Sequence, residues 1–540
     1  MGQTATETGA DADYVIIGGG TAGCVLADRL TEAGHSVLLL EAGGRRTSPW
    51  SHIPAGWTRL LNSGTHNWRF SSAPEARTGN RPIVFPRGKG LGGSSLLNGM
   101  IWVRGQRQDY DDWKRDGCDG WGFDDLLPYF RKTESWAGEP DQIRGQSGPI
   151  PVEEVAYRAP LSDTFLKAAR ECGHPLAADY NGADQEGACQ YQTNQRRGRR
   201  YSAAQGYLGR ALRRENLRLL DKAHVTAIRL QGGRASAVEY VRHGKTGLAR
   251  ARREILLCAG GIQSPQILEL SGIGDPGHLA KAGIAVWHEL PAVGNHFTDH
   301  YCVRMHWRVR NAQTLNETTR GWRLMREVAR YATTRSGVLT LGTGLAGGFF
   351  RTDPGLDRPD IQLFFIHASY GDAATRKLDS RPGMTIGVSQ LRPLSRGDVH
   401  VASPDPFRAP VIRPNFLAEP ADADCMAAGM RLARNIAEAP AFGAFIESEL
   451  KPGTDCQNAE DFRDFVHTTG QSIYHAAGTC RMGTDPATSV VDLRLRAHGI
   501  GGLRVVDASV MPSMVSGNIQ AAVYAIAEKA ADLIMRDARA

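Results

Sequence analysis

The chain has 540 residues, of which 41% are hydrophobic and 22% are charged, and its formal net charge is +7. This length predicts two or more packed domains, and the composition excludes a collagen-like or disordered protein. The basic charge does not indicate nucleic acid, because the densest run, Arg196, Arg197, Arg199 and Arg200, has one aromatic neighbour and predicts a solvated loop.

The nine cysteines are an odd number and include no CxxC pair. They predict neither a disulfide framework nor a zinc site, so we expect a reducing compartment and no metal. The N-terminal stretch, residues 1–13, is polar and acidic and lacks the basic and apolar regions of a secretory signal. No apolar run approaches the ~18 residues of a membrane span. The sequence therefore predicts a cytoplasmic protein.

A strand-turn-helix unit opens the chain. Residues 14–17 form a short apolar strand that leads into Gly18-x-Gly20-x-x-Gly23 and then a helical pattern. The first glycine permits a tight turn, the second lets the backbone approach a pyrophosphate, and the third lets helix and strand pack closely. A second strand ends at Glu41, placed to accept from a ribose 2′-hydroxyl. The unit predicts a dinucleotide site that FAD and NAD would satisfy equally.

Two further glycine-rich segments follow. Residues 88–93 also read GxGxxG, but Pro86-Arg87 interrupts any preceding strand, so we interpret this run as a backbone loop around the same cofactor. Residues 255–259 form an apolar strand that ends in Gly260 and Gly261 and precedes a helical pattern. That strand is expected in the same sheet as the first one.

The pattern of apolar residues changes in the second half of the chain. Between about 302 and 460, alternating segments such as 361–365 and 384–391 predict a separate, more antiparallel sheet. The final residues again show the strand-then-helix pattern of the start of the chain, with a predicted strand at 503–507 and a predicted helix at 518–535. The nucleotide domain is therefore expected to be discontinuous in sequence.

Several long stretches, in order along nearly the whole chain, resemble the glucose-methanol-choline (GMC) oxidoreductase family. Residues 88–100, GKGLGGSSLLNGM, resemble its first signature, and residues 260–274, GGIQSPQILELSGIG, resemble the second. The other matches lie at residues 109–113, 293–300, 393–397, 474–483, 505–512 and 517–518. The resemblance implies a choline dehydrogenase-like FAD alcohol oxidoreductase.

The resemblance also implies a fold and its domain boundaries. The fold class is α/β, a Rossmann-like FAD-binding domain that is discontinuous in sequence, with an α+β substrate domain built on a mostly antiparallel sheet. The expected segments are 1–155, 198–301 and 463–540 for the FAD-binding domain and 156–197 and 302–462 for the substrate-binding domain.

By resemblance, His475 lies at the reactive face of the flavin as the base, with Asn518 as its hydrogen-bond partner. Hydride leaves a carbinol carbon readily only when the oxygen gains alkoxide character, so a nearby group must take the hydroxyl proton. Asn518 can donate to that developing oxyanion. Without the match to the family pattern, His475 would ordinarily be interpreted as a structural histidine and Asn518 as a cap of the final helix. His300, beside Asp299, is left open between a structural role and a place near the cofactor.

The resemblance places FAD contacts along the whole chain. The implied residues are Gly18, Gly20, Thr21, Ala22, Gly23, Glu41, Ala42, Arg87, Gly92, Gly93, Ser94, Asn98, Gly99, Met100, Val225, Ala259, Asp507, Ala508, Asn518 and Ile519. Leu97 stands where some members carry a flavin-linking histidine, so we expect non-covalent FAD. Departures from the family pattern after His475 and Asn518 leave the substrate class open.

The leading hypothesis is oxidation of a primary alcohol to an aldehyde, by hydride transfer from the carbinol carbon to flavin N5. Oxygen or another acceptor, soluble or in a membrane, takes the electrons, and the substrate is a small choline-like, sugar, amino-sugar or aromatic alcohol. A hydroxynitrile lyase-like enzyme with structural FAD is the alternative, and an NAD-linked dehydrogenase is a third possibility. No nucleic-acid partner is expected, and either a monomer or a homodimer is compatible with the sequence.

Overall fold

The structure is a computed structural model that describes residues 7–46, 48–372 and 377–539. Residues 1–6, part of the stretch interpreted above as lacking a signal sequence, lie outside the described residues. Two main sheets are built from strands β1 Glu7–Ile17, β2 Val37–Glu41, β3 Gly187–Gln190, β4 Leu217–Asp221, β5 Ala223–Gln231, β6 Arg234–Arg242, β7 Lys245–Leu257, β8 Tyr301–Val309, β9 Ala346–Phe350, β10 Ile361–Ile366, β11 Gly383–Gln390, β12 Ile446–Lys451, β13 Gln471–Ser472 and β14 Leu503–Val505.

The helices of the described residues surround these sheets. They are α1 Thr21–Glu32, α2 Trp57–Leu61, α3 Arg107–Arg115, α4 Phe123–Thr133, α5 Pro160–Glu171, α6 Gly209–Ala211, α7 Gly260–Leu270, α8 Pro276–Lys281, α9 Leu315–Thr318, α10 Gly321–Thr334, α11 Pro420–Glu438, α12 Ala459–Thr469 and α13 Gln520–Arg539. Among these described helices, none is both long and apolar enough to cross a bilayer.

The first sheet has the order β4-β2-β1-β7-β6-β5, with β14 also paired to β7. Strands β4, β2, β1, β7 and β14 run parallel, whereas β6 and β5 add an antiparallel edge. Strand β2 is a buried aliphatic run, VLLL, before Glu41, as expected of a strand covered on both faces. The carboxyl ends of β1, β2 and β7 therefore meet at one edge, where Gly18, Glu41 and Cys258 lie.

The second sheet is antiparallel, with the order β12-β8-β11-β10-β9-β3 and β13 paired to β8. Helices α5 and α11 cover one of its faces. A Cβ on Gly429 of α11 would lie 2.8 Å from side-chain carbons of Ile361 and Val388, so glycine there lets the helix approach the sheet closely. Side chains of β8, β10 and β11 line a cavity that they share with residues at the edge of the first sheet. The predicted α/β class with its mostly antiparallel second sheet is confirmed.

The interpretation of the arginine run as a solvated loop is wrong at Arg200. Residues 195–196 and 199–200 pair as a short ribbon, and only the other three arginines of the run are exposed. The Arg200 guanidinium is buried and donates to the side-chain oxygen of Asn98 at 2.6 Å and to its carbonyl at 2.7 Å. Burial lowers the pKa of Arg200 to about 9. The charge pattern around Arg200 could not indicate this burial, because its partner Asn98 lies on a distant segment of the chain.

Buried histidines predict loss of stability in mild acid. Burial lowers the pKa of His300 and His367 to about 4 and that of His306 to about 3, from an ordinary value of 6.5. Between those values the unfolded chain binds more protons than the folded one. The unfolding free energy should therefore be insensitive to these groups above pH ~6.5 and should fall as the pH falls toward ~4, by up to about 1.4 kcal/mol per pH unit for each histidine.

Thermal unfolding of parent and His367→Phe across this pH range tests the expectation. His367 stacks on Tyr157 with ring centroids 5.8 Å apart, and its Nδ1 is buried without a hydrogen-bond partner among the described residues, so a phenyl ring suits the position. The variant should lose less stability than the parent on acidification. An identical pH dependence would contradict the assignment.

Candidate active site

One cavity runs from the turn after β1 to the free face of the second sheet. The glycine turn and the end of β2 line its first part, and residues from β8, β10 and β11 line its far end. His475 and Asn518 lie between these two regions. The cavity therefore joins a nucleotide-type site to a wall that could contact a substrate.

The turn between β1 and α1 has the geometry of a phosphate-binding turn. Gly18 has φ +100°, and a Cβ there would lie 2.6 Å from the carbonyl oxygen of Cys258. A Cβ on Gly23 would lie 1.9 Å from the Gly18 carbonyl, so Gly23 serves the close packing of helix on turn. Gly20 lines the cavity, with the nearest atom to its missing Cβ 3.9 Å away. No side chain caps the N-terminus of α1, which leaves its first N–H groups for an anion.

The carboxylate of Glu41 joins three backbone segments around this turn. Its Oε1 accepts from the N–H of Gly43 at 2.7 Å and of Gly90 at 3.0 Å, and its Oε2 accepts from the N–H of Gly19 at 2.9 Å. Burial raises the pKa of Glu41, and these N–H groups oppose that rise. Oε2 retains capacity for a ribose hydroxyl, and that contact stays a prediction. The structural role of the side chain was not foreseen.

The second glycine run forms the other side of the nucleotide end. The N–H of Gly92 donates to the carbonyl of Gly19 at 2.7 Å. A Cβ on Gly93 would lie 2.7 Å from Cα of Gly20, and a Cβ on Gly43 would lie 2.3 Å from the backbone nitrogen of Gly90. The run is therefore a loop folded directly onto the first turn.

His475 and Asn518 are brought together from distant parts of the chain. Nδ2 of Asn518 lies 3.3 Å from Nε2 of His475. On its other side, Nδ1 of His475 lies 2.8 Å from Nδ1 of His300, and Nε2 of His300 lies 2.8 Å from the carbonyl oxygen of Leu391. The result is a line of polar groups from Leu391 to Asn518 across the site.

The hydrogen bonds from Leu391 through His300 to His475 determine the tautomer of each imidazole. A carbonyl oxygen only accepts, so His300 carries its proton on Nε2 and offers a lone pair at Nδ1. His475 must then donate from its own Nδ1, which leaves Nε2 unprotonated beside Asn518. Burial lowers the pKa of His475 well below its usual range, and the neighbouring His300 and Arg87 lower it further. His475 is thus a neutral imidazole with a lone pair facing the cavity.

Asp299 holds the segment that carries His475. One carboxylate oxygen accepts the backbone N–H of His475 at 2.6 Å, and the other accepts the hydroxyl of Ser472. Tyr474, between them, has φ +75°, an unusual conformation for a side chain of its size. Its N–H donates to the Ser472 hydroxyl at 2.7 Å, and its carbonyl accepts from Arg87 at 2.5 Å. These bonds hold a strained turn that directs His475 into the cavity.

A glutamine of the second sheet orients the Asn518 amide. Nε2 of Gln362, on β10, lies 3.4 Å from the side-chain oxygen of Asn518 and 3.1 Å from the Tyr191 hydroxyl. Because that nitrogen only donates, the Asn518 oxygen faces Gln362 and its NH₂ group faces His475. Asn518 therefore presents donors to the cavity.

The cavity fits a dinucleotide with a ring system near His475. The uncapped start of α1 and the space beside Gly20 suit a pyrophosphate, and Glu41 suits a ribose. Arg87, which also lines the cavity, has its Nε and one terminal nitrogen buried without a hydrogen-bond partner among the described residues. Asn98 and Gly99 line the stretch between these groups and His475.

Most residues implied as cofactor contacts do line this cavity. Those on its wall are Gly18, Gly20, Thr21, Ala22, Glu41, Ala42, Arg87, Gly93, Ser94, Asn98, Gly99, Met100, Val225, Ala259, Asp507, Ala508, Asn518 and Ile519. Gly23 and Gly92 do not line it, and they instead support the turn through the contacts given above. Leu97 lines the cavity and offers no nitrogen for a bond to a flavin.

Several residues of the site were not identified from the sequence. His300 was left open between a structural role and a place near the cofactor, and its bond to His475 was not foreseen. The positions of Gln362, Arg304 and Trp57 were not foreseen either. His300 follows Asp299 within a matched segment, which was the one available signal. Gln362 lies in an alternating strand pattern that predicts a sheet face without showing what faces it.

Comparison with known proteins gives concordant results. Models described as GMC oxidoreductase match residues 12–302 and 393–527. The chain is 36% identical over 532 residues to an alcohol dehydrogenase (acceptor) of Pseudomonas putida, covering 97% of this chain and 96% of that protein. It is 39% identical over 530 residues to an oxygen-dependent choline dehydrogenase of Chromohalobacter salexigens, covering 97% and 94%.

Solved structures are similar over almost the full length. Pyridoxine 4-oxidase from Mesorbium loti aligns with a TM-score of 0.88 and 31% identity, covering 96% of this chain and 98% of that one. A formate oxidase of Aspergillus oryzae, solved in a study of FAD modification, aligns with a TM-score of 0.92 and 28% identity, covering 99% and 100%.

Proposed function

The chain belongs to the GMC oxidoreductase family, and on that premise we propose that it oxidises a primary alcohol to an aldehyde. FAD is its cofactor, and when bound it supplies the acceptor for the hydride that leaves the carbinol carbon. The observation that supports the proposal most directly is the neutral His475, with Nε2 facing the cavity 3.3 Å from the Asn518 amide. Leu97 supports non-covalent binding of the FAD.

His475 acts as the base in this proposal. Its unprotonated Nε2 accepts the substrate hydroxyl proton, and its Nδ1–H remains bonded to His300, which stabilises the imidazole in one orientation. The positive charge that His475 gains is stabilised by the hydrogen bonds that connect it through His300 to the carbonyl of Leu391. Asp299 acts through the backbone, because it holds the turn that carries His475.

Asn518 binds the substrate oxygen as it loses its proton. Its NH₂ group donates toward the space beside Nε2 of His475, and Gln362 holds the amide in that orientation. A neutral donor stabilises the developing negative charge without protonating it. His475 and Asn518 therefore both hydrogen-bond to the same substrate oxygen, which favours a substrate with a hydroxyl group between them.

The described residues of the far wall of the cavity favour an uncharged alcohol over a cation. The second sheet contributes Cys302, Arg304, Phe364, Ile366, Thr385 and Gly387 to this wall. Among the described lining residues, the acidic side chains are Glu41 and Asp507, and both belong to the nucleotide end. Asp507 already accepts from the N–H groups of Gly260 and Ser509 and from the Ser264 hydroxyl. None of the described residues on this far wall offers a carboxylate to a quaternary ammonium group, which would lose water there without that compensation.

Anaerobic mixing with a panel of alcohols tests the function. The flavin of the holoenzyme should be bleached by at least one uncharged primary alcohol from a set of aliphatic, aromatic and sugar compounds, and choline should be the slowest compound tested. Fastest bleaching by choline would contradict the substrate class. Cleavage of a cyanohydrin without bleaching by any alcohol would overturn the redox function in favour of a lyase.

A further inference from the structure

Helix α10 turns an apolar face toward solvent. Trp322, Met325 and Val328 are 67%, 74% and 50% exposed. At 3.6 residues per turn they share one side of the helix with the exposed Ala329 and Ala332. These five residues form a continuous stripe, named the Trp322 face below. An apolar stripe of this width ordinarily packs on a core, and this one does not.

The opposite side of α10 attaches the helix to the protein. Tyr331 and Glu327 are its buried residues. The Tyr331 hydroxyl donates to the carbonyl of Gly198 at 3.0 Å, and Glu327 accepts from the N–H of Val338 at 3.3 Å. The helix is therefore held with its polar and aromatic side inward, and the outward direction of the Trp322 face is a consequence of these bonds.

Arginines border the Trp322 face. Residues 320–335 contain five arginines and one acid, Glu327. Arg323 and Arg326 lie on one flank, with their guanidinium carbons 6.0 Å and 5.2 Å from the Trp322 ring, and Arg330 follows one turn later. Their side chains are 40%, 55% and 50% exposed. A tryptophan-bearing apolar stripe beside a basic flank is typical of helices that lie in the interface of an anionic bilayer.

Helix α10 is connected through a short turn to the wall of the cavity. Helix α10 packs on the short turn Val338–Thr340, which packs on Pro54–Gly56 at the start of α2. Trp57 and Leu61 of α2 line the cavity. A surface on which α10 rests would therefore lie close to the elements that enclose the active site.

We propose that the Trp322 face is a peripheral membrane-docking surface for bilayers that contain anionic phospholipids. Its side chains enter the boundary between headgroups and acyl chains, and Arg323, Arg326 and Arg330 pair with phosphate groups. A second copy of the chain fits less well, because a two-fold contact through this face would bring together two flanks that each carry three arginines, paired at 3.6–4.0 Å with only Glu317 and Glu327. Anionic headgroups supply the missing charge.

Vesicle sedimentation of the holoenzyme tests the proposal. The parent protein should sediment with vesicles of phosphatidylcholine and phosphatidylglycerol and less with phosphatidylcholine alone. The double variant W322S/M325S should lower the partition coefficient by roughly tenfold or more, because two exposed apolar side chains no longer enter the bilayer. R323E/R326E should weaken binding to the anionic vesicles and leave the weaker binding to neutral vesicles unchanged.

Trp287→Ser is the matched control, since Trp287 is 70% exposed and lies far along the chain, before β8. It should bind vesicles as the parent does, and all variants should keep the parental unfolding temperature. Vesicle binding by W322S/M325S equal to that of the parent overturns the proposal. Failure of the parent protein to bind vesicles would also overturn it. Dissociation of a parental dimer by W322S/M325S would overturn it as well, because the Trp322 face would then be a self-association surface.

Discussion

Replacement of His475 by alanine is expected to slow alcohol-dependent flavin reduction by roughly 10²- to 10⁴-fold while FAD remains bound. The substitution removes the lone pair at Nε2, which lies 3.3 Å from Asn518. Among the described residues, the nearest other imidazole is that of His300, which contacts the opposite nitrogen of the His475 ring and is therefore a ring width away from the substrate oxygen, and Asn518 is not a base. Proton removal then falls to solvent in a buried site.

Anaerobic stopped-flow absorbance at saturating substrate measures this effect directly. His467→Ala is the matched control, since that histidine is half-buried, does not line the cavity, and has its side chain bonded to the carbonyl of Arg77. It should reduce flavin at the parental rate. Near-parental reduction by His475→Ala with full flavin content would exclude the histidine as the base.

Glu41→Ala is expected to weaken FAD binding by at least roughly 100-fold, which corresponds to about 2.7 kcal/mol. The carboxylate accepts three backbone N–H groups, from Gly19, Gly43 and Gly90. Each buried donor left without a partner costs about 1–3 kcal/mol, so the three loops around the nucleotide should separate. The ribose also loses its acceptor.

Flavin retained after desalting, relative to protein, measures the loss. Glu41→Gln should be intermediate, because its amide oxygen can still accept from Gly43 and Gly90 whereas its NH₂ group opposes the N–H of Gly19. Glu32→Ala is the control, since Glu32 is exposed and pairs with Arg29 on the same helix. Full flavin retention by Glu41→Ala would show that the loops do not depend on this carboxylate.

Much of the nucleotide half was predictable because its signals are local. The strand before Gly18, the helix after Gly20 and the acid at the end of the next strand are determined by residues a few positions apart. Each has a backbone requirement, such as the positive φ of Gly18, that a sequence expresses directly. The fold class and the cofactor followed from these signals and from long family signatures in order.

The network around the base was not predictable to the same degree. His300 contacts His475 across 175 positions of chain, and Gln362 contacts Asn518 across 156. Alternating patterns assign residues to faces of a sheet, but they do not show which face meets which neighbour. The burial of Arg200 was missed for the same reason, since its partner Asn98 lies on another segment.

The sequence by itself determined the dinucleotide turn and the α/β class, because each depends on short-range spacing, whereas His475 and Asn518 were implied only by the resemblance to a family. Only the tertiary structure decided which imidazole nitrogen of His475 faces the cavity, which loops Glu41 joins and which side of α10 meets solvent. These properties arise from packing between segments far apart in the chain, where the energy of a contact depends on geometry that no local pattern contains.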